Sequence, residues 1–416
     1  MRINKTNIWV YAHWLGMPEA KCIGMLSAQG KKGKTTFSFE YDKKWIKSKE
    51  QFILDPDIRW FSGRQFPGAK KNFGIFLDSM PDTWGRTLMK RKSVQVTIEK
   101  NELPKTLSDI DFLLGVYDET RMGALRFKLE KDGKFLDDNK EIPIPPWSSV
   151  GDLQYASKII ELDKKSAEVK KWLVILLAPG SSLGGARPKA NILDKNGNLW
   201  IAKFPSKNDV TDKAAWEYLA YKLAINAGVE MAECRIEKVS GAYHTFFTKR
   251  FDRKGEERIH FASAMTMTGN SEDTIRNITP SYLDIAEFIQ FSGSDTTQDL
   301  HQLWRRIVFN IAISNTDDHL RNHGFIIKDN CWRLSPAYDI NPSIDKEGLV
   351  LNIDMNNNNL DFELAKSVIH YFKLDSDQSD KILNEVKSSV GNWRKIANQI
   401  GISRKDQELM LGAFQY

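Results

Sequence analysis

From Asp317 to His323 the chain crowds two adjacent carboxylates, two histidines and an asparagine into DDHLRNH. Ionisable groups packed this densely must face water or find partners, so the elements on either side decide what the run can become. Upstream, LWRRIVFNIAI carries Trp304, Ile307, Val308 and Ile311 at helical spacing, which predicts a helix with one apolar face. Downstream, GFIIK and CWRL flank Asp329-Asn330, which predicts a tight hairpin. A helix leading in and a hairpin returning the chain fix the run in place. They also bring Asn322, at the hairpin's entrance, near Asp339 beyond its exit.

The spacing points to phosphoryl transfer. Asp317 and Asn322 are separated as in the protein-kinase catalytic loop H-R-D-x-x-x-x-N, and Asp339 stands where the Asp of D-F-G would. In that chemistry one carboxylate accepts the proton of the substrate hydroxyl. An amide oxygen and a second carboxylate hold the magnesium ions that bridge the phosphates. On this reading Asp317 is the base, Asn322 and Asp339 are the metal ligands, and Asp318 is one residue short of the interval. Two other readings stay open on this run alone. His319 and His323, four apart, could share a transition metal with Asp318, although no helix is expected through Asn322-His323-Gly324 and no third histidine or glutamate is placed as a ligand. The run could also be a polar loop with a structural role only.

A second region favours the kinase-like reading. Val169, Trp172, Leu173, Leu176 and Leu177 recur at helical spacing before APGSSLGGARPKA breaks the pattern. KANILDKNGNLWIAKF then reads as two strands joined around Asn196-Gly197, a pair that accepts positive φ, with Lys203 in the second strand. A helix is expected from about Asp212, with Trp216, Leu219, Ala220, Leu223 and Ala224 on one face, Glu217 at its edge and Gly228 as its stop. Glycine loop, strand lysine and helix glutamate come in the order in which a protein kinase uses them around the phosphates of ATP. The loop is not a Walker A sequence: Gly180 and Gly185 have the right gap, but Ala186-Arg187 stands where Lys-Ser/Thr is required.

Composition narrows the class. A chain of 416 residues has room for about two or three domains, and 41% apolar with 27% charged residues is ordinary for a folded soluble protein. No run of about 18 apolar residues is present, and MRINKTNIWVYAHW lacks a signal-peptide layout, so no membrane association is expected. Cys22, Cys234 and Cys331 are far apart and odd in number, which argues against a disulfide framework or structural zinc and fits a reducing cytoplasm. The net charge of +6 suits an acidic partner such as ATP or nucleic acid. Residues 1–135 mix alternating runs, such as Phe37, Phe39 and Tyr41, with turn signals and read as strand-rich α/β. The proline-bearing stretch 136–150 reads as a linker, 151–257 as a lobe carrying the phosphate loop, and 258–416 as mostly helical.

Taken together, SSLGGARPKA, WIAKFP, KRFDR, NTDDHLRN and LSPAYDINPS resemble the HipA family of bacterial serine/threonine kinases, toxins of a class of toxin–antitoxin systems. FSFEYDKKWI, LDSMPDTWGR and RMGALRFK resemble the amino-terminal segment of its full-length members. The resemblance implies an α+β, atypical protein-kinase-like fold, with an α/β N-terminal part and an all-α C-terminal part. Carried over by motif, it implies a phosphate loop at Gly184, Gly185, Ala186, Arg187, Pro188 and Lys189, and an ATP-contacting strand lysine at Lys203. It implies an adenine-facing segment at Lys249, Arg250 and Phe251, where the family archetype has an acidic residue in place of Lys249. Further nucleotide contacts are implied at His319, Leu320, Arg321, Asn322, Tyr338 and Asp339, with magnesium on Asn322 and Asp339 and with Asp317 as base. Ser182 matches an autophosphorylation site whose modification expels the loop, and Ser181 is a competing acceptor.

The resemblance also implies a cytoplasmic enzyme using ATP and Mg2+, and a HipB-like helix-turn-helix antitoxin that carries it to operator DNA. Its implied target is a protein such as an aminoacyl-tRNA synthetase, phosphorylated on a serine. Two other classes are a non-catalytic corepressor acting with a DNA-binding antitoxin and a kinase for a small molecule. The intact set Lys203, Asp317, Asn322 and Asp339 disfavours the first and does not separate protein from small-molecule substrates.

Overall fold

The alternating pattern near the N-terminus folds as an antiparallel sheet. The computed structural model describes residues 4–31, 34–48, 52–103, 106–138, 144–162, 173, 176, 185–329 and 331–416. Strands β1 (Asn4–Ala12), β2 (Lys21–Lys31), β3 (Lys34–Tyr41) and β4 (Leu125–Lys128) line up in the order β3-β2-β1-β4. Phe37, Phe39 and Tyr41 are buried together, as a period of two requires. Phe39 meets Phe73 and Phe76 at 6.5 and 5.7 Å between ring centres, and Phe76 meets Phe127 of β4 at 6.2 Å. Where β2 passes β3, a Cβ on Gly24 would stand 2.4 Å from the Glu40 carbonyl oxygen, so only glycine fits.

Two compact units make up the chain: Met1–Lys207 with Asp252–Ala262, and Asn208–Phe251 with Ser263–Tyr416. The first also holds α1 (Thr83–Glu99), α2 (Asp109–Leu114), α3 (Val150–Glu161) and a hairpin of β5 (Lys189–Leu193) and β6 (Leu199–Lys203). That hairpin turns through Gly197 at φ 78°, as the Asn-Gly pair predicts. The stretch 136–150 starts bound to β4: the Leu136 N–H donates to the Phe127 carbonyl at 2.8 Å.

The first unit closes around Arg121, from RMGALRFK. Its Nη1 donates to the carbonyls of Ser79 and Leu113, both at 2.8 Å, and its Nη2 to those of Val116 and Leu136 at 3.0 and 2.9 Å. The guanidinium lies 4.7 Å over the Phe127 ring. Ser79 caps the short helix Gly74–Asp78 and Leu113 lies in the last turn of α2, so the cation meets carbonyls at helix C-termini, while the Val116 carbonyl also accepts the Asp137 N–H at 3.0 Å. Burial pushes its pKa down to about 10, which keeps it charged at neutral pH.

In the second unit α4 (Lys213–Asn226) begins at Asp212, whose carboxylate accepts the Ala215 N–H at 3.2 Å, and the chain leaves it through Gly228 at φ 75°. Trp216, Leu219, Ala220, Leu223 and Ala224 are buried, and so is Glu217. Strands β7 (Cys234–Glu237) and β8 (Thr245–Lys249) pair antiparallel. Helices α5 (Tyr282–Ser292) and α6 (Thr296–Ala312) follow, and α6 buries Trp304, Ile307, Val308 and Ile311 as its spacing predicts. The hairpin of β9 (Gly324–Lys328) and β10 (Cys331–Leu334) pairs Phe325 with Leu334. Helices α7 (Ser376–Val390) and α8 (Trp393–Ile400) complete a largely helical C-terminal part, where Trp393 stacks on Phe414 at 4.3 Å. Among the described residues no helix is long and apolar enough to cross a membrane.

Arg121→Lys keeps the buried charge but brings one nitrogen to a place where four carbonyls converge. Urea unfolding is expected to show a loss of about 2–4 kcal/mol. Unchanged stability would mean the carbonyls do not need the fork.

Candidate active site

Helix α6 delivers the polar run, and Ser314, at φ 49°, turns the chain into it. Asp318 faces inward and is buried. Its Oδ2 accepts from the Tyr282 hydroxyl on α5 at 2.6 Å and from Asn310 Nδ2 on α6 at 2.8 Å, and lies 2.7 Å from His323 Nε2. Asn310 in turn accepts from Asn315 Nδ2 at 3.0 Å, and Asn315 Oδ1 receives the Asn341 N–H at 3.4 Å. Burial by itself would raise the Asp318 carboxyl. The neighbouring His323 and the hydrogen bonds it receives outweigh burial and hold it below its ordinary value. Burial and the Asp318 charge push the Tyr282 hydroxyl well up.

Asp317 points the other way. Its side chain is 82% exposed, with the Lys346 ammonium 3.8 Å from Oδ1, so an incoming hydroxyl can reach it. Asn322 is buried, and its Nδ2 donates to the Asp317 carbonyl oxygen at 3.3 Å. The hairpin then closes the circuit. The Ser335 N–H donates to the Gly324 carbonyl at 2.9 Å, and the Tyr338 hydroxyl donates to the Arg321 carbonyl at 2.7 Å. Asp339 follows in the left-handed region, at φ 57°. The Phe251 ring lies 5.5 Å from that of Tyr338.

The remaining expected residues of this unit have more local surroundings. His319 is half-buried, Leu320 is buried and its carbonyl takes the Met265 N–H, and Arg321 is ion-paired with Glu272. Lys249 is half-buried 3.9 Å from the Glu233 carboxylate, and Arg250 is buried. His323 bonds Asp318 instead of pairing with His319 around an ion. Among the described residues no group of three or more His, Cys, Asp or Glu side chains is placed to hold a metal. An amide and one carboxylate, as at Asn322 and Asp339, fit magnesium, which keeps several waters and takes further oxygens from phosphates.

The other expected elements belong to the first unit. Gly180, Ser181, Ser182 and Gly184 lie outside the described residues, as do Val169, Trp172 and Leu177. From Gly185, at φ 70°, the chain runs through exposed Ala186, half-buried Arg187 and buried Pro188 to Lys189. Lys189 and Lys203 are directly opposed in the β5–β6 register, and both are buried. Opposed like charges on one face of a hairpin are unfavourable unless an anion joins them. For Lys189 that anion is Asp82: Nζ donates to Asp82 Oδ2 at 2.8 Å and to the Gly185 carbonyl at 3.3 Å. Sequence reasoning did not single out Asp82. The available signal was its place as an acidic N-cap immediately ahead of a helix, within LDSMPDTWGR.

This is an α+β fold of the atypical, kinase-like kind. The chain belongs to the HipA-like C-terminal domain family, whose model matches residues 181–394, just over half of it. A solved structure described as the "Shewanella oneidensis MR-1 Toxin Antitoxin System HipA, HipB and its operator DNA complex" aligns with a TM-score of 0.67 and 18% identity, over 97% of this chain and 94% of that one. Two curated proteins also match. "Putative kinase" of Haemophilus influenzae is 26% identical over 179 residues, 38% of this chain and 52% of that protein. "Putative kinase Y4dM" of Sinorhizobium fredii is 29% identical over 156 residues, 35% of this chain and 37% of that protein. The matched region thus spans about half the length of the first relative and less of the second.

With its folded-state pKa lowered, Asp318 contributes stability above the ordinary carboxylate range and loses that contribution as pH falls through the lowered value. Asp318→Asn is expected to cost about 1–3 kcal/mol near neutral pH, with the gap to wild type narrowing as the solution is acidified below that range. Urea unfolding at both pH values measures it. A gap that does not change with pH would detach this carboxylate from the effect.

Proposed function

We propose that this chain is an ATP-dependent serine/threonine protein kinase of the HipA type, the toxin of a toxin–antitoxin pair. The observation that carries the reading is the opposite facing of two consecutive carboxylates. Asp318 is spent on holding the loop, while Asp317 stands outward, with Asn322 and the Tyr338-Asp339 pair tethered to the same run. A purely structural polar loop does not account for an exposed acid at the interval that phosphoryl transfer requires.

Asp317 accepts the proton of a substrate serine as its oxygen attacks the γ-phosphorus, and the bond to the bridging oxygen breaks to release ADP. Lys203 and the backbone N–H groups of Gly184, Gly185, Ala186 and Arg187 orient the phosphates. Phe251 and Tyr338 offer apolar ring surface in the region the resemblance assigns to adenine. Asn322 and Asp339 would hold magnesium, which would supply positive charge to the phosphate oxygens. Ser182 is the self-phosphorylation site, where roughly −1.5 to −2 of added charge would repel the triphosphate. The partners are a HipB-like helix-turn-helix antitoxin, operator DNA through that antitoxin, and a cytoplasmic protein target such as an aminoacyl-tRNA synthetase. The complex of the Shewanella neighbour with HipB and its operator DNA supports the antitoxin and DNA part of this reading.

With labelled ATP and purified protein, wild type is expected to label itself at Ser182. Asp317→Asn and Asp339→Asn should lose transfer by about three orders of magnitude or more, since such groups act as a unit. Activity surviving in Asp317→Asn while Asp318→Asn is inactive would move the base by one residue.

Induced alone in a bacterial host, wild type should arrest colony formation and Asp317→Asn should not, because arrest by a catalyst requires its base. Equal toxicity of the two would defeat the kinase-toxin reading.

A further inference from the structure

The segment MPDTWGR accounts for itself residue by residue once its surroundings are seen. Asp82 caps α1, its Oδ1 accepting the Gly85 N–H at 2.8 Å. Its Oδ2 accepts from Lys189 at 2.8 Å, with the lysine side chain 3% and the aspartate 9% exposed. Trp84, also buried, donates its indole N–H to the Lys189 carbonyl at 3.1 Å. Gly85 lets the turn close: a Cβ there would stand 2.8 Å from Pro81 Cβ. Arg86 braces the turn from outside, its Nε donating to the Pro81 carbonyl at 3.1 Å and its guanidinium lying 4.6 Å over the Phe112 ring. The first turn of a 17-residue helix therefore grips Lys189 at two points, side chain and backbone.

Lys189 passes this grip on. Its ammonium has three N–H donors. One goes to Asp82 and one to the carbonyl of Gly185, where the described part of the glycine-rich loop begins. Pro188, beside it, takes the Phe204 N–H at 2.9 Å, fixing the stem to the end of β6 next to Lys203. A loop stem held in this way loses less freedom when a ligand docks on it.

We infer that Asp82 is a positioning residue for nucleotide binding. It acts through Lys189 to hold the stem of the phosphate loop, and the third ammonium donor of Lys189 serves a phosphate oxygen. This rests on the kinase reading above. Without Asp82 the ammonium would be buried opposite Lys203 with no carboxylate, and the stem would have to be ordered at the expense of binding. The effect should therefore fall on affinity for ATP more than on the chemical step, since neither Asp82 nor Trp84 touches the reacting atoms.

The test uses the full chain, magnesium and ATP, with a fluorescent ATP analogue as the binding probe. Asp82→Asn is expected to raise KM for ATP and the probe Kd by about tenfold or more, the scale of a lost charge-assisted bond, while kcat changes by less than about threefold. Lys189→Met should raise KM for ATP and the probe Kd at least as far, and the Asp82→Asn/Lys189→Met double variant should bind no more weakly than Lys189→Met alone. Asp82→Glu should recover part of the affinity. If Asp82→Asn does not fold, Trp84→Phe, which removes only the indole donor, should still raise KM and not lower kcat. Affinity in Asp82→Asn equal to or tighter than wild type would overturn the inference. So would additive losses in the double variant, or a fall in kcat at unchanged KM. A wild type that binds no ATP would instead remove the kinase reading, and this inference with it.

Discussion

A carboxylate withdrawn from water is tolerable only where donors close on it, and Asp318 has hydroxyl, amide and imidazole groups within bonding distance of one oxygen. These come from α5, from α6 and from the last residue before β9, so the oxygen is satisfied only when all three are assembled. The polar run owes its shape to this requirement. Once Asp318 is anchored inward, the preceding carboxylate is left facing solvent, and Asn322 is tied back onto its carbonyl. An exposed acid on a loop would ordinarily sample many positions. Here its backbone is fixed from the neighbouring residue, which is the preorganisation that acid–base chemistry needs.

Buried charge organises the first unit as well, by different means. Arg121 spreads its cation over four carbonyls at the ends of short segments. Lys189, a point charge with fewer donors, is met by one carboxylate and one carbonyl. The difference follows from geometry: a planar fork can collect carbonyls arriving from several directions, whereas an ammonium on a flexible stem needs one strong anion to hold it. Of two opposed lysines, Lys189 is committed to the scaffold in large part, and Lys203 stands beside it at the foot of the loop.

The family match starts at residue 181, yet the group that steadies Lys189 is Asp82, well before it. The region that the family model matches is thus tied, at Lys189, to a motif from the N-terminal region of the same compact unit. This gives LDSMPDTWGR a physical role beyond packing and explains why aspartate, tryptophan and glycine occur there together: cap, clamp and close approach.

Much was legible along the chain because it is encoded locally. The Asn196-Gly197 turn, the hairpin after Asn322, the apolar faces of α4 and α6, and the Asp317-to-Asn322 interval are all patterns within a few residues, and the dihedral and burial preferences that produce them act over that range. Three features were not legible. One is that Asp318 carries the fold and its neighbour faces out. Another is that Arg121 closes on the carbonyls of Ser79 and Leu136 alike. The third is that Lys189 belongs to a carboxylate 107 residues away. Each depends on which atoms come within about 3 Å of one another when distant segments pack, and no local periodicity records that meeting. The residue types were set by the sequence; their partners, and so the division between holding the loop and facing solvent, were settled only by the tertiary structure.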